Sequence, residues 1–257
     1  MQPTTVTDLP ALLAGDAVAG ADRPLLTYCD DATGERVELT AVELGGLAAR
    51  TAGLLREDCG LDTGSRVAVL LPPHWQTAAV LLGAWSIGAA VSFRPWATAG
   101  LAPVGQGEND PLDALFVSRQ RLDSWLEQVP QARHRYVLGL APGGAPLDEV
   151  PDGYRDFAAD ASRHPANLPA YGSFGSTDAA SPDGTTYRQW GGLAQGVADQ
   201  LGLRAGDRLL VDVAKHEQPV MWLLTPLAAG ASVVLCANLD RANLDARIAA
   251  EGVTRVI

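Results

Sequence analysis

Few side chains in these 257 residues have the type and spacing for chemistry. Lys215 is the only lysine among 19 basic residues, so any step that needs an amine has one candidate. It follows the apolar run Val211–Val213 and is flanked by His216 and Glu217. A base or Schiff-base lysine needs burial against an apolar wall, whereas a lysine between Ala214 and His216 reads as a surface residue. Asp178 and Asp183 are five apart in a Gly/Ser/Pro-rich stretch, where a divalent ion is conceivable and solvated loop charges are the default. In Gly172-Ser173-Phe174-Gly175-Ser176 neither serine has glycine at both positions two residues away, so it is no hydrolase elbow. His134 sits between Arg133 and Arg135 and reads as a salt-bridged surface. His74, with Trp75 after Pro72-Pro73, reads as structural. Cys29, Cys59 and Cys236 are too far apart for a zinc knuckle and too few for a stapled secreted fold. No metal ligand set and no catalytic residue is assigned.

These residues hang on alternating elements. Thr40 precedes Glu43 by three, a capping-box signature opening a helix to about Arg56. The turn Asp62–Ser65 leads into a buried strand, Val67–Leu71. A helix from about His74 to Ile87 stops at Gly88, and a strand, Ala89–Phe93, follows. Downstream, Leu112–Val117 and Arg135–Leu140 read as strands, with a helical stretch from Ser118 to Gln128. Asp148–Ala161 reads as a helix and loop. Trp85 and Trp222, inside apolar helices, are expected in the core.

The same phrase occurs twice. Gly60-Leu61-Asp62-Thr63-Gly64-Ser65-Arg66-Val67 is answered by Gly202-Leu203-Arg204-Ala205-Gly206-Asp207-Arg208-Leu209, 142 residues on. At that offset His74 falls on His216 and Gly88 on Gly230. The fold class expected is α/β: two pseudo-symmetric, mostly parallel αβ subdomains packed together. The boundaries expected are an N-terminal arm over 1–20, a first subdomain over 21–170 and a second, incomplete one over 171–257.

Hydrophobic residues make up 47%, and 30 acidic against 19 basic side chains leave a net charge of −11. That balance excludes disorder and a general nucleic-acid binder. No long charge-free apolar run offers a membrane span, and the first twenty residues lack a basic signal-peptide start. A cytoplasmic protein is expected.

Taken in order, Leu39-Thr40-Ala41-Val42-Glu43-Leu44, the turn into Ala68–Pro72, Gly88-Ala89-Ala90-Val91, Gly206-Asp207-Arg208 and Leu227–Leu235 resemble the adenylate-forming (AMP-binding, acyl-CoA synthetase-like) enzymes. The likeness covers residues 21 to 257, about the first half of a full family member. It implies two pseudo-symmetric N-terminal subdomains and a phosphate loop reading Ser-Gly-Thr-Thr-Gly-x-Pro-Lys-Gly. The stretch here is Ser176-Thr177-Asp178-Ala179-Ala180-Ser181-Pro182-Asp183-Gly184, which keeps Ser176, Pro182 and Gly184 and replaces the lysine with Asp183.

Ser176, Asp183 and Gly184 are therefore the nucleotide-site candidates. His216 joins them because a family residue near this position lines the acyl side of the pocket; otherwise it is a helix-start histidine, solvated or paired with Glu217. A unit charge 5–6 Å from a polyphosphate costs roughly 3 kcal/mol at an effective dielectric of 20, and removing the lysine costs about as much. No cofactor is expected, with ATP or AMP and magnesium entering only if the altered loop still binds. The adenine segment, ribose aspartate and catalytic-lysine domain implied by the resemblance would lie beyond Ile257. The reading is a truncated, degenerate, non-catalytic pseudoenzyme that binds a ligand or protein. Its alternatives are a ligase half completed by a partner chain and an unrelated α/β enzyme. A second copy or a partner protein is expected over the incomplete sheet near Ile257, with no nucleic acid and no membrane.

Overall fold

The structure is a computed structural model describing residues 23–98, 111–124, 129–167 and 174–257. The N-terminal arm and the Gly172–Ser173 stretch lie outside them, as do Trp125 and the end of the 118–128 helix. The chain forms two compact units.

One unit takes 46–72 and 76–187. Its sheet has the order β4-β3-β5-β6-β7, with every pair parallel. The strands are β3 (Arg66–Leu70), β4 (Ala90–Phe93), β5 (Leu112–Ser118), β6 (Ala132–Leu138) and β7 (Arg155–Asp156). Val67 to Leu70 and Leu115 to Val117 are fully buried, as strands covered on both faces must be. Helix α2 (Trp75–Ser86) connects β3 to β4 and is buried throughout, with Trp85 in the core. Where a helix was expected over 148–161, Pro151 and Gly153 (φ +77°) interrupt the backbone. Strand β7 forms there, and the carboxylate of Asp156 then caps helix α4 (Phe157–Ala161) by accepting from the Ala159 N–H.

The other unit takes the described residues up to 45, with 73–75 and 188–257. Its sheet runs β10-β8-β9-β1-β2. Here β1 is Leu26–Asp30, β2 Arg36–Leu39, β8 Arg208–Asp212, β9 Ser232–Ala237 and β10 Arg255–Val256. Only the β1–β2 pairing is antiparallel. Trp222 is fully buried in the π-helical turn Val220–Leu224, ahead of helix α6 (Thr225–Ala229). His74 is buried against the Tyr28 ring, centroids 4.4 Å apart, and burial lowers its pKa.

The repeated phrase folds the same way twice. Gly64 N–H donates to Gly88 O at 2.9 Å, and Gly206 N–H to Gly230 O at 3.0 Å. Ala90 N–H reaches Ser65 O at 2.8 Å, and Ser232 N–H reaches Asp207 O at 2.9 Å. The strands that follow adopt the local orders β4-β3-β5 and β9-β8-β10. Two αβ units on one plan, each mostly parallel, are the pseudo-symmetric N-terminal-type fold of adenylate-forming enzymes. The chain's last strand, β10, pairs with β8 at the edge of its sheet.

Candidate functional site

Residues 174–187 form a small closed hairpin. Ala179 and Thr186 make an antiparallel bridge, and Ala180 N–H donates to Thr185 O at 2.8 Å. Gly184, at φ +85°, supplies the left-handed step that turns the tip, and its N–H donates to Ser181 O. At the base, the carboxylate of Asp178 accepts from Gly175 N–H at 2.6 Å. Its carbonyl accepts from Tyr187 N–H at the start of helix α5 (Tyr187–Leu201).

The hairpin is fastened to the α2–β4 turn of its own unit. Ala180 O accepts from Val91 N–H at 2.8 Å and from the Trp85 indole at 3.3 Å. The buried Tyr187 hydroxyl donates to the carbonyls of Trp85 and Ala89 at 3.0 and 2.9 Å. Burial first, and Asp178 second, push that phenol above its ordinary range. Gly88 is required where the turn passes this anchor: a Cβ there would stand 2.7 Å from Thr63 Oγ1 and 3.0 Å from Phe174 Cβ.

Asp183 is exposed at the tip, but its carboxylate is turned into the hairpin. Oδ1 accepts from the Ser181 hydroxyl at 2.6 Å and from Thr185 N–H at 3.0 Å. The Ser181 hydroxyl and then the Thr185 amide hold its pKa below the usual aspartate value. Ser176, Asp183 and Gly184 lie in one hairpin. His216 belongs to the other unit.

There the half-buried His216 ends a turn built by Asp212, a buried carboxylate at the carboxyl end of β8 that the sequence reading did not single out. Its carbonyl accepts from Lys215 and His216 N–H at 3.0 and 3.2 Å. Its Oδ1 takes Ala214 N–H at 3.2 Å, and its Oδ2 faces Arg241 at 3.2 Å and Lys215 Nζ at 3.8 Å. Lys215 is half exposed and paired, which is a surface role. The turn follows the carboxyl end of β8, the end of a parallel sheet outside which open αβ sheets place ligands. The only signal for Asp212 in the sequence was an acidic residue following Leu209–Val211. Among the described residues no cluster of three or more His, Cys, Asp or Glu could hold a metal, and no helix is long and apolar enough to cross a membrane.

A family model described as AMP-binding enzyme matches residues 15–100. A protein of Mycobacterium tuberculosis (strain ATCC 25618 / H37Rv) described as a TIGR03089 family protein is 38% identical over 262 residues, covering 99% of each chain. Among solved structures, an acyl-CoA synthetase of Brucella canis superposes with a TM-score of 0.69 at 21% identity, over 98% of this chain and 46% of that one. An anthranilate CoA ligase in complex with anthranoyl-AMP gives 0.68 at 18%, over 100% and 51%. A fatty acyl CoA synthetase of Mycobacterium tuberculosis gives 0.65 at 16%, over 99% and 49%. At these identities the likeness is one of fold, and the chain spans about half the length of these solved synthetases.

Two expectations are corrected. A truncated, degenerate relative is overturned by the match to the TIGR03089 protein, which runs end to end in both chains. The non-catalytic pseudoenzyme is contradicted by the match to a family model described as AMP-binding enzyme, together with the full-length relative. The physical argument for inactivity also weakens. At an exposed carboxylate the dielectric approaches that of water, and repulsion at 5–6 Å falls from roughly 3 to about 1 kcal/mol or less. On that end-to-end identity, the chain belongs to the TIGR03089 family.

Proposed function

We propose that this protein is a catalytic adenylate-forming enzyme that activates a carboxylic acid with ATP. In that reaction a carboxylate oxygen bonds to the α-phosphorus, the bond from that phosphorus to the bridging oxygen breaks, and pyrophosphate leaves with the electron pair. The reading is carried by one observation: a chain matched over residues 15–100 by an AMP-binding enzyme model has described residues that fold as two αβ units of the synthetase type. Those neighbours are an acyl-CoA synthetase, an anthranilate CoA ligase and a fatty acyl CoA synthetase, so the acid sought here is an aryl or aliphatic carboxylate.

The hairpin 174–187 is the phosphate-facing element of this reading. Its anchors, Trp85 and Tyr187, hold the tip in a fixed place before substrate arrives, which lowers the ordering cost of binding. His216 and the Asp212-braced turn stand at the carboxyl end of their own unit's parallel sheet and are a separate ligand-binding candidate. Lacking a loop lysine, the protein meets the triphosphate with backbone and hydroxyl donors, and a weak affinity for ATP follows.

The test is ATP–pyrophosphate exchange by the purified full chain with magnesium and a panel of aryl and fatty acids. Acid-dependent exchange is expected, and no exchange with any acid in the panel would overturn the reading.

A further inference from the structure

The tip of the hairpin already holds an anion. Two donors converge on Oδ1 of the Asp183 carboxylate from within the turn: the Ser181 hydroxyl at 2.6 Å and Thr185 N–H at 3.0 Å. Convergent backbone and hydroxyl donors in a tight turn form an anion-binding concavity whatever oxygen fills it. Ser181 is buried and the Gly184 side of the tip is open, with no atom within 4 Å of where a Cβ would be. The donors are thus fixed from behind, and space remains in front of them.

Resting on the reading of 174–187 as the phosphate-facing element, we infer that the Asp183 carboxylate is a built-in competitor. It occupies the Ser181–Thr185 donors and has to swing out before a terminal phosphate of a polyphosphate can take them. The protein is self-blocked at this step, and Asp183 sets the threshold concentration at which the polyanion enters. The residue that replaces the expected lysine is on this account a regulator of the loop and still a part of its hydrogen bonding.

The experiment is calorimetric titration of the full chain with inorganic pyrophosphate, comparing wild type with Asp183→Ala, Asp183→Asn and the double variant Asp183→Ala/Ser181→Ala. Asp183→Ala is expected to bind pyrophosphate at least tenfold more tightly than wild type. Asp183→Asn keeps the acceptor and the turn while losing the charge, so it is expected to gain at least threefold. It keeps the idea testable should the alanine variant lose the hairpin. Adding Ser181→Ala should take back at least fivefold of the gain, which mere removal of a negative charge does not predict. A gain under twofold in both single variants, or a gain indifferent to Ser181, overturns the inference. Pyrophosphate gain without exchange activity in any variant would leave the self-block standing and remove the enzymatic reading. Exchange in wild type without pyrophosphate gain would do the reverse.

Discussion

Cys29, Cys59 and Cys236 are free and buried, and burial is the largest cause raising each thiol above its usual pKa; Cys236 is pushed up to about 12. Thiolate is the reactive form, so buried and raised thiols are slow. None of the three is expected to react with a disulfide reagent at pH 8 in the native protein, and all three should react in denaturant; a native thiol titrating within minutes would contradict this. The sequence showed that these cysteines were too sparse to pair or to hold zinc, but not that each would be buried. Asp183 shows the same divide. Its identity was legible and its electrostatic effect computable, yet the donors that capture its carboxylate exist only once Ala180 and Thr185 close the hairpin. Asp212 was missed because its role depends on Arg241, 29 residues away.

Among elements, helix α1 (Ala41–Gly53) begins as its sequence promised. Thr40 N–H donates to Glu43 Oε2 at 2.8 Å and Glu43 N–H to Thr40 Oγ1 at 3.2 Å. Thr40→Ala should cost about 1 kcal/mol in urea denaturation, while an unchanged midpoint would show that the cap contributes nothing. Helix α7 (Leu244–Glu251) is tied to its sheet by buried Glu251, which accepts from Arg36 of β2 at 2.9 Å and from Arg208 of β8 at 3.2 Å. These bonds, Arg36 first, depress the Glu251 pKa. A depressed carboxylate stabilises above its unfolded pKa, and the contribution is lost as pH falls through the folded value. Glu251→Gln should cost about 3 kcal/mol at pH 7, with the gap to wild type closing on acidification toward pH 3; a gap independent of pH would contradict the pairing. Strands β3 to β6 were legible as apolar runs. Strands β1 and β2 went unread because Arg36–Leu39 is short, polar and half exposed, and Leu26–Asp30 is defined by pairing with Cys236 and its neighbours on β9.

For the whole molecule, the 142-residue repeat revealed the two-unit plan because the same turn must be built twice, glycine to glycine. The repeat carries no chemistry, and so function hung on the loop register. There the sequence offered a charge count where the structure has a hydrogen-bonded turn. The proposed catalysis rests on the AMP-binding enzyme match over residues 15–100. Acid-dependent ATP–pyrophosphate exchange measures it most directly. The account predicts label passing from pyrophosphate into ATP when the right acid is present, faster in Asp183→Ala than in wild type. Folded wild type and Asp183→Ala that both stay silent across aryl and fatty acids at millimolar magnesium ATP would contradict it.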